Sequence, residues 1–261
     1  TITIPSTVLT NLGVTSFNIS AITNTATTCA NTFTNVQVNF IVNPLPNVTP
    51  SNITVADTCI DVDANGNILG ETNLPDGNYT FTYVLSGANT SASQNGAAAI
   101  TSGNGTFTIP VTLFTTTGVT TFTLTSITNV ATGCTTTGLS ISDNFTVIPL
   151  PNASNATIAV NDICLIDGVA TVSVSNASAL TDGNYTIIYD LTDANISSGN
   201  SIIVTFTSGN ASFVIPSTLL TNAGNTTITI QDLITNTTFC GTSTLAISPI
   251  TFIIDDEVTP T

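Results

Sequence analysis

The 261-residue chain contains no lysine, arginine or histidine, and no tryptophan or methionine. Opposite that void stand 15 aspartates and glutamates, a net charge of −15. Nucleic acid is thereby excluded as a partner, because phosphate binding rests on Lys and Arg neutralisation. An anionic membrane surface is disfavoured for the same reason. Ser-His-Asp and Cys-His nucleophilic triads cannot be assembled. General acid–base chemistry is left with carboxylates alone. A glycosidase-type carboxylate pair would be the surviving enzyme option. Yet the recurring acidic residues Asp76 and Asp182 both lie in turns and form no such pair. No catalytic residue is assigned, and the chain reads as non-enzymatic. A Lys–Asn isopeptide staple is impossible, and trypsin has no site to cut. No leader, membrane-spanning run or sorting tail is visible, so no membrane insertion is expected.

Low charge does not mean disorder here. Charged residues make up 6% and hydrophobic ones 41%, which is too apolar for a solvated acidic tail. What fills the chain is Thr, Asn, Ser, Ile and Val, and it is written on a ruler. Cys29, Cys134 and Cys240 stand 105 and 106 residues apart, and Cys59 and Cys164 stand 105 apart. Pro5, Pro110 and Pro216 recur on the same period, each followed by Gly13, Gly118 and Gly224. PLPN occurs at 44–47 and 149–152, and DGNYT at 76–80 and 182–186. Fixed self-similarity of this length signals tandem units the size of one domain. The expected division is 1–45, the C-terminal half of a truncated repeat, then complete repeats at 46–150 and 151–261.

Period-two alternation rich in Thr, Ile, Val and Phe predicts strands. In the third copy they are expected at 157–161, 169–175, 185–191, 202–207, 212–215, 226–233 and 245–254. The second copy gives 53–56, 68–72, 79–85, 97–101, 106–109, 120–127 and 139–148. Seven short strands per unit predict an all-β fold of tandem seven-stranded β-sandwiches, immunoglobulin-like or fibronectin-III-like. TSGNGTF and TSGNASF read as tight hairpins with Gly or Asn available for positive φ. Alternation assigns Tyr79, Phe81, Tyr83, Phe122, Leu124 and Ile127 to one core, and Tyr185, Ile187, Tyr189, Ile228, Ile230 and Leu233 to the next. Phe17, Ile19 and Ile22 are the counterparts in the partial copy. The linkers hold two prolines and no Gly/Ser run, which predicts a stiff rod.

Repeated cysteines in an apolar, cation-free β protein read as disulfides and an oxidising compartment. Two connectivities are open. Cys59–Cys134 and Cys164–Cys240 would close each repeat on itself. Five strand traversals separate those partners, however, roughly 30–40 Å by strand rise, whereas bridged Cα atoms lie about 4.4–6.8 Å apart. That favours Cys59–Cys240, stitching one repeat to the next, with the partner of Cys29 outside these residues. Asp61, Asp63 and Asn65 open a D-x-D-x-N-G-x-I string that matches the start of a calcium loop, but Glu71 falls one residue short of the bidentate position. Calcium there competes with an ordinary Asn-Gly turn, and no other cofactor is implied. Asp255, Asp256 and Glu257 form a second acidic cluster, read as a linker or a calcium site. Sequons such as Asn18, Asn52, Asn78 and Asn104 are weak signals in a chain this rich in Asn and Thr.

NITVADTC, LPDGNYTFTYVLSGAN, GNGTFTIP, TTFTLTSITNVATGC and NFTVIPLPN together resemble the tandem immunoglobulin-like repeats of giant flavobacterial (Bacteroidetes) cell-surface adhesins of the SprB, gliding-motility type. The resemblance covers essentially all 261 residues. It implies export to the bacterial cell surface, a filament of many sandwich repeats and mechanical attachment without catalysis in the repeats. Implied partners are neighbouring repeats of the same chain, lateral filament partners and surface polysaccharide. A carbohydrate-binding or calcium-dependent adhesive module is the alternative. It would need exposed aromatics in a groove or filled metal sites.

Overall fold

A computed structural model describes residues 1–243 and 245–256. Strand accounts for 55% of it and helix for 6%, with no helix of seven residues or more among the described residues. The architecture is all-β, built of sandwiches.

The strands are β1 (Gly13–Asn18), β2 (Ala21–Thr23), β3 (Ala30–Thr32), β4 (Gln37–Val42), β5 (Ile53–Val55), β6 (Thr58–Cys59), β7 (Ala64–Ile68), β8 (Gly77–Gly87), β9 (Gln94–Ile100), β10 (Gly105–Ile109), β11 (Gly118–Asn129) and β12 (Thr135–Ile148). They continue as β13 (Thr157–Val160), β14 (Ile163–Cys164), β15 (Ala170–Ser175), β16 (Gly183–Asp193), β17 (Ser197–Phe206), β18 (Ala211–Ile215), β19 (Gly224–Thr235), β20 (Gly241–Thr242) and β21 (Ile250–Asp255). The chain gathers into two compact units. One comprises Thr1–Ala56, Asp63–Leu113 and Val119–Phe145; the other comprises Asp57–Val62, Phe114–Gly118 and Thr146–Thr261.

In the middle of the chain a three-stranded sheet, β10-β7-β5, faces a second sheet ordered β6-β12-β11-β8-β9. The pattern returns as β13-β15-β18 against β14-β21-β19-β16-β17, with β20 added beside β19. The first strand is split each time. β5 pairs antiparallel with β7, then the chain crosses so that β6 runs parallel to the end of β12. β14 does the same against β21. Splitting one strand between two sheets covers an edge of both, a device against edge-to-edge association.

Alternation builds the core. Along β8 the inward set is Tyr79, Phe81, Tyr83 and Leu85, all buried. Along β11 it is Thr120, Phe122 and Leu124, and then the spacing slips to Ile127. The slip is a β-bulge: Leu124 lies opposite Tyr83 but Ser126 opposite Thr82, leaving Thr125 extra. β19 repeats it, with Ile230 opposite Tyr189, Asp232 opposite Ile188 and Gln231 extra. The three-residue step from Leu124 to Ile127 and from Ile230 to Leu233 is thus one bulge used twice. Between the sheets, the Phe107 ring lies 5.2 Å from those of Phe81 and Phe122, and Tyr83 lies 5.1 Å from Phe122. In the later sandwich Tyr185, Ile187, Tyr189, Ile228, Ile230 and Phe213 share one buried cluster.

Residues 1–45 differ from these two sandwiches. β1 pairs with β4 and β2 with β3, each as a separate two-stranded ribbon. No residue from 1 to 45 is buried: Phe17 and Ile19 are half-buried and Ile22 is exposed. These three are therefore not core residues. Their counterparts on β11 are buried, Phe122 under Tyr83 of β8 and Phe107 of β10, and the segment that supplies β5 to β9 has no equivalent within 1–45.

Two further expectations are corrected. The strand expected at 68–72 lies at Ala64–Ile68 instead, with Ala64, Gly66 and Ile68 inward. The strand expected over 245–254 is confined to Ile250–Asp255. The hairpins at 101–104 and 207–210 are tight, but asparagine does not take the left-handed position. Ser102 (φ 50°) and Gly103 (φ 76°) do, followed one repeat later by Ser208 and Gly209. Two positive φ values make the turn that matches strand twist. Serine is held there by its neighbours: its N–H donates to Asp76 Oδ1 at 2.7 Å, and its carbonyl accepts from Asn104 Nδ2 at 2.9 Å. Asp182 and Asn210 do the same for Ser208. The recurrence of Asp76 and Asp182 is thus a turn requirement.

Candidate functional site

A disulfide joins Cys59 to Cys240 across a sequence separation of 181, with Cα atoms 5.6 Å apart. Both cysteines belong to the second compact unit. Cys59 is the last residue of β6, level with Ile148. Strand β6 is fixed by backbone pairing and by Asp57, whose Oδ1 accepts from Thr146 N at 2.6 Å. Asp162 holds β14 to β21 identically, accepting from Ile253 N at 2.7 Å. The pairing within each repeat, Cys59–Cys134 with Cys164–Cys240, is not formed, since Cys59 and Cys240 hold each other. Strand length explains it: Cys59 lies beside the last residue of β12 and Cys134 precedes the first. A 14-residue strand rises about 45 Å.

Cys240 sits in the turn after β19. Cys240 O accepts from Thr235 N at 2.9 Å, and Thr235 O accepts from Phe239 N at 2.9 Å. That turn forces Phe239 to φ 57° and leaves its ring 79% exposed, while Cys240 is fully buried. The same turn precedes Cys134 and Cys29. Asn129 N donates to Cys134 O at 2.9 Å and Gly133 N to Asn129 O at 2.8 Å, with Gly133 at φ 69°. Asn24 N donates to Cys29 O and Thr28 N to Asn24 O, both at 2.8 Å, with Thr28 at φ 59°. Cys134 is half-buried and Cys29 exposed.

Beside the bridge lies a cleft of about 350 Å³ bordered by Asp61, Asp232, Phe239 and Thr242. Asp232 Oδ1 accepts from Leu233 N at 2.8 Å. The other two candidate calcium ligands do not border this cleft. Asp63 Oδ1 accepts from Val111 N at 2.7 Å, and Asn65 lies within β7 opposite Thr108. Asp255 ends β21 and Asp256 follows it; Glu257 lies outside the described residues. Among the described residues no three Asp, Glu, Cys or His side chains converge as a metal site would require.

A second kind of cleft occurs once per sandwich. Pro44, Leu45 and Pro46 border one of about 250 Å³ with Tyr79 and Asn129. Pro149, Leu150 and Pro151 border its counterpart of about 310 Å³ with Tyr185 and Thr235. The tyrosine hydroxyls are committed: Tyr79 donates to Pro75 O at 2.8 Å and Tyr185 to Thr181 O at 3.0 Å.

Sequence reasoning missed one polar feature, the buried pairs Asn89–Thr120 and Asn195–Thr226, each bonded Nδ2 to Oγ1 at 2.8 Å. Asn195 Oδ1 also accepts from Thr221 N and Asn222 N, at 2.8 and 3.0 Å. The signal was present: SGAN and TDAN recur in register, and both threonines stand on the inward phase of their strands.

No protein-family model matches the chain, and no curated protein matches it. Among solved structures it is similar to the FN1–FN3 domains of chicken CNTN1, at 12% identity and TM-score 0.49, over 90% of this chain and 76% of that one. The I-band fragment I67–I69 of titin is also similar, at 11% identity and TM-score 0.28, over 78% of this chain and 64% of that one. The fold itself rests on the strand order: a three-stranded sheet against one of five or more, with the first strand split between them, is an immunoglobulin-like repeat.

Proposed function

We infer that these residues are structural stalk repeats of an extracellular, disulfide-containing adhesin filament on a bacterial surface, serving attachment or gliding motility. The observation that carries the reading is the Cys59–Cys240 bond, which links one sequence repeat to the next in a chain without cations. Disulfides persist in oxidising surroundings, which fits an exported protein. No helix among the described residues is long and apolar enough to cross a membrane. Tension applied to the two ends passes from Cys59 through sulfur to Cys240. Residues 60–239 then carry none of it through their backbone, so their hydrogen-bonded strands are spared. The role is mechanical and requires no chemistry from the side chains.

Immunogold labelling of intact cells with antibody to residues 46–261 tests the reading. Gold arrayed on surface filaments is expected; labelling that appears only after lysis would overturn it. The carbohydrate-binding alternative has one observation in its favour, the prolyl cleft that recurs once per sandwich. Glycan-array binding by the 261-residue chain, with and without calcium, decides it. Silence in both conditions removes it.

A further inference from the structure

Three turns present a cysteine in the same way, at Cys29, Cys134 and Cys240, and one of them shows what it holds. The ligand of Cys240 is the Sγ of Cys59, which ends a two-residue strand laid parallel to the close of the preceding repeat's last strand. We propose that Cys134, and Cys29 with it, takes the same ligand: the thiol of a Cys59-type residue in another repeat unit, one outside residues 1–261. This rests on reading the chain as part of a longer array of like units. Cys134 occupies the place of Cys240 one period earlier, and Cys59 is already bonded to Cys240. The resulting rule is general. The first-loop cysteine of each unit bonds the late-turn cysteine of the unit after it, so that successive bridges interleave along the array.

The redox balance needs an acceptor for two electrons and two protons. An oxidoreductase disulfide of the export compartment supplies it. The Cys134 thiolate attacks that disulfide, forming a mixed disulfide and releasing one oxidoreductase thiol. The Cys59-type thiolate then attacks the Cys134 sulfur and expels the second thiol, leaving the bridge and a reduced oxidoreductase.

The test uses the full natural protein taken from the surface of cells. It is denatured without reductant, alkylated with iodoacetamide, cleaved with pepsin and at aspartate, and mapped by mass spectrometry. The expected result is a Cys134 peptide linked to a first-loop cysteine peptide distinct from those of Cys59 and Cys164, with Cys134 alkylated only after reduction. Cys134 alkylated before reduction, or linked to another late-turn cysteine, overturns the proposal. The Cys59–Cys240 peptide in the same digest reports whether bridges survived handling. If it is intact while Cys134 is alkylated, the ladder fails and the immunogold result still stands on its own. A Cys134→Ser protein gives a second readout: one first-loop thiol, protected in the natural protein, becomes alkylatable.

Discussion

Phe122 shows how much a single ring contributes. It is fully buried and touches the rings of Tyr83 and Phe107 from both sheets. Phe122→Ala removes that packing and leaves a void, at an expected cost of about 3–5 kcal/mol. Ile203 is 63% exposed, and Ile203→Ala should cost under about 1 kcal/mol. Urea unfolding followed by tyrosine emission measures both, and equal costs would refute the core assignment. Tyr83 and Tyr189 carry a second expectation, because burial raises both phenol pKa values above 10.0. A raised folded-state pKa means stability is complete below the unfolded value near 10 and is lost as pH climbs through the folded value. The chain, its thiols alkylated, should therefore weaken above pH 10. Y83F with Y189F should flatten that decline in a pH series of urea melts.

Among the elements, the hairpin between β9 and β10 is the most demanding. Gly103 has φ +76°, and a Cβ there would lie 2.3 Å from Glu71 O, a backbone atom. Gly133 has a similar φ of +69° but nothing within 4 Å. Gly133→Ala should cost about 1–2 kcal/mol for the left-handed conformation alone. Gly103→Ala should cost distinctly more, and equal melting points for the two variants would contradict this. These elements also show what was legible in the sequence. Strands β8, β11, β16 and β19 were readable because large apolar side chains alternate on them. β7 was not, since its inward residues are Ala64, Gly66 and Ile68, and Gly66 leaves its space to the Phe107 ring. Its acidic lead-in also matches the opening of a calcium loop, and that pattern overlies the short strand. The two-residue strands β6 and β14 carry no periodicity at all. Strand-counting weighs the two cysteine pairings but does not decide between them, because the partner of Cys59 lies 181 residues away. The buried Asn195 network went unread because periodicity treats Asn as a surface residue.

At the scale of the whole molecule, the long covalent loop dominates. Closing 181 residues stabilises by about 5 kcal/mol in the chain-entropy estimate. Its mechanical effect is larger. Pulled from its termini, the oxidised chain should never release the length held between the two sulfurs. Reduction should add about 600 Å of contour length, the extended reach of 181 residues. Single-molecule stretching before and after dithiothreitol measures the difference, and identical contour lengths would dismiss the load-bypass idea.

Damage tolerance follows from the same bond. One peptide hydrolysed anywhere from residue 60 to 239 yields two fragments that remain fastened together by sulfur. Such a nicked chain should migrate as a single species until reductant is added, and then fall into two. A chain cross-linked this way survives its first cut in one piece.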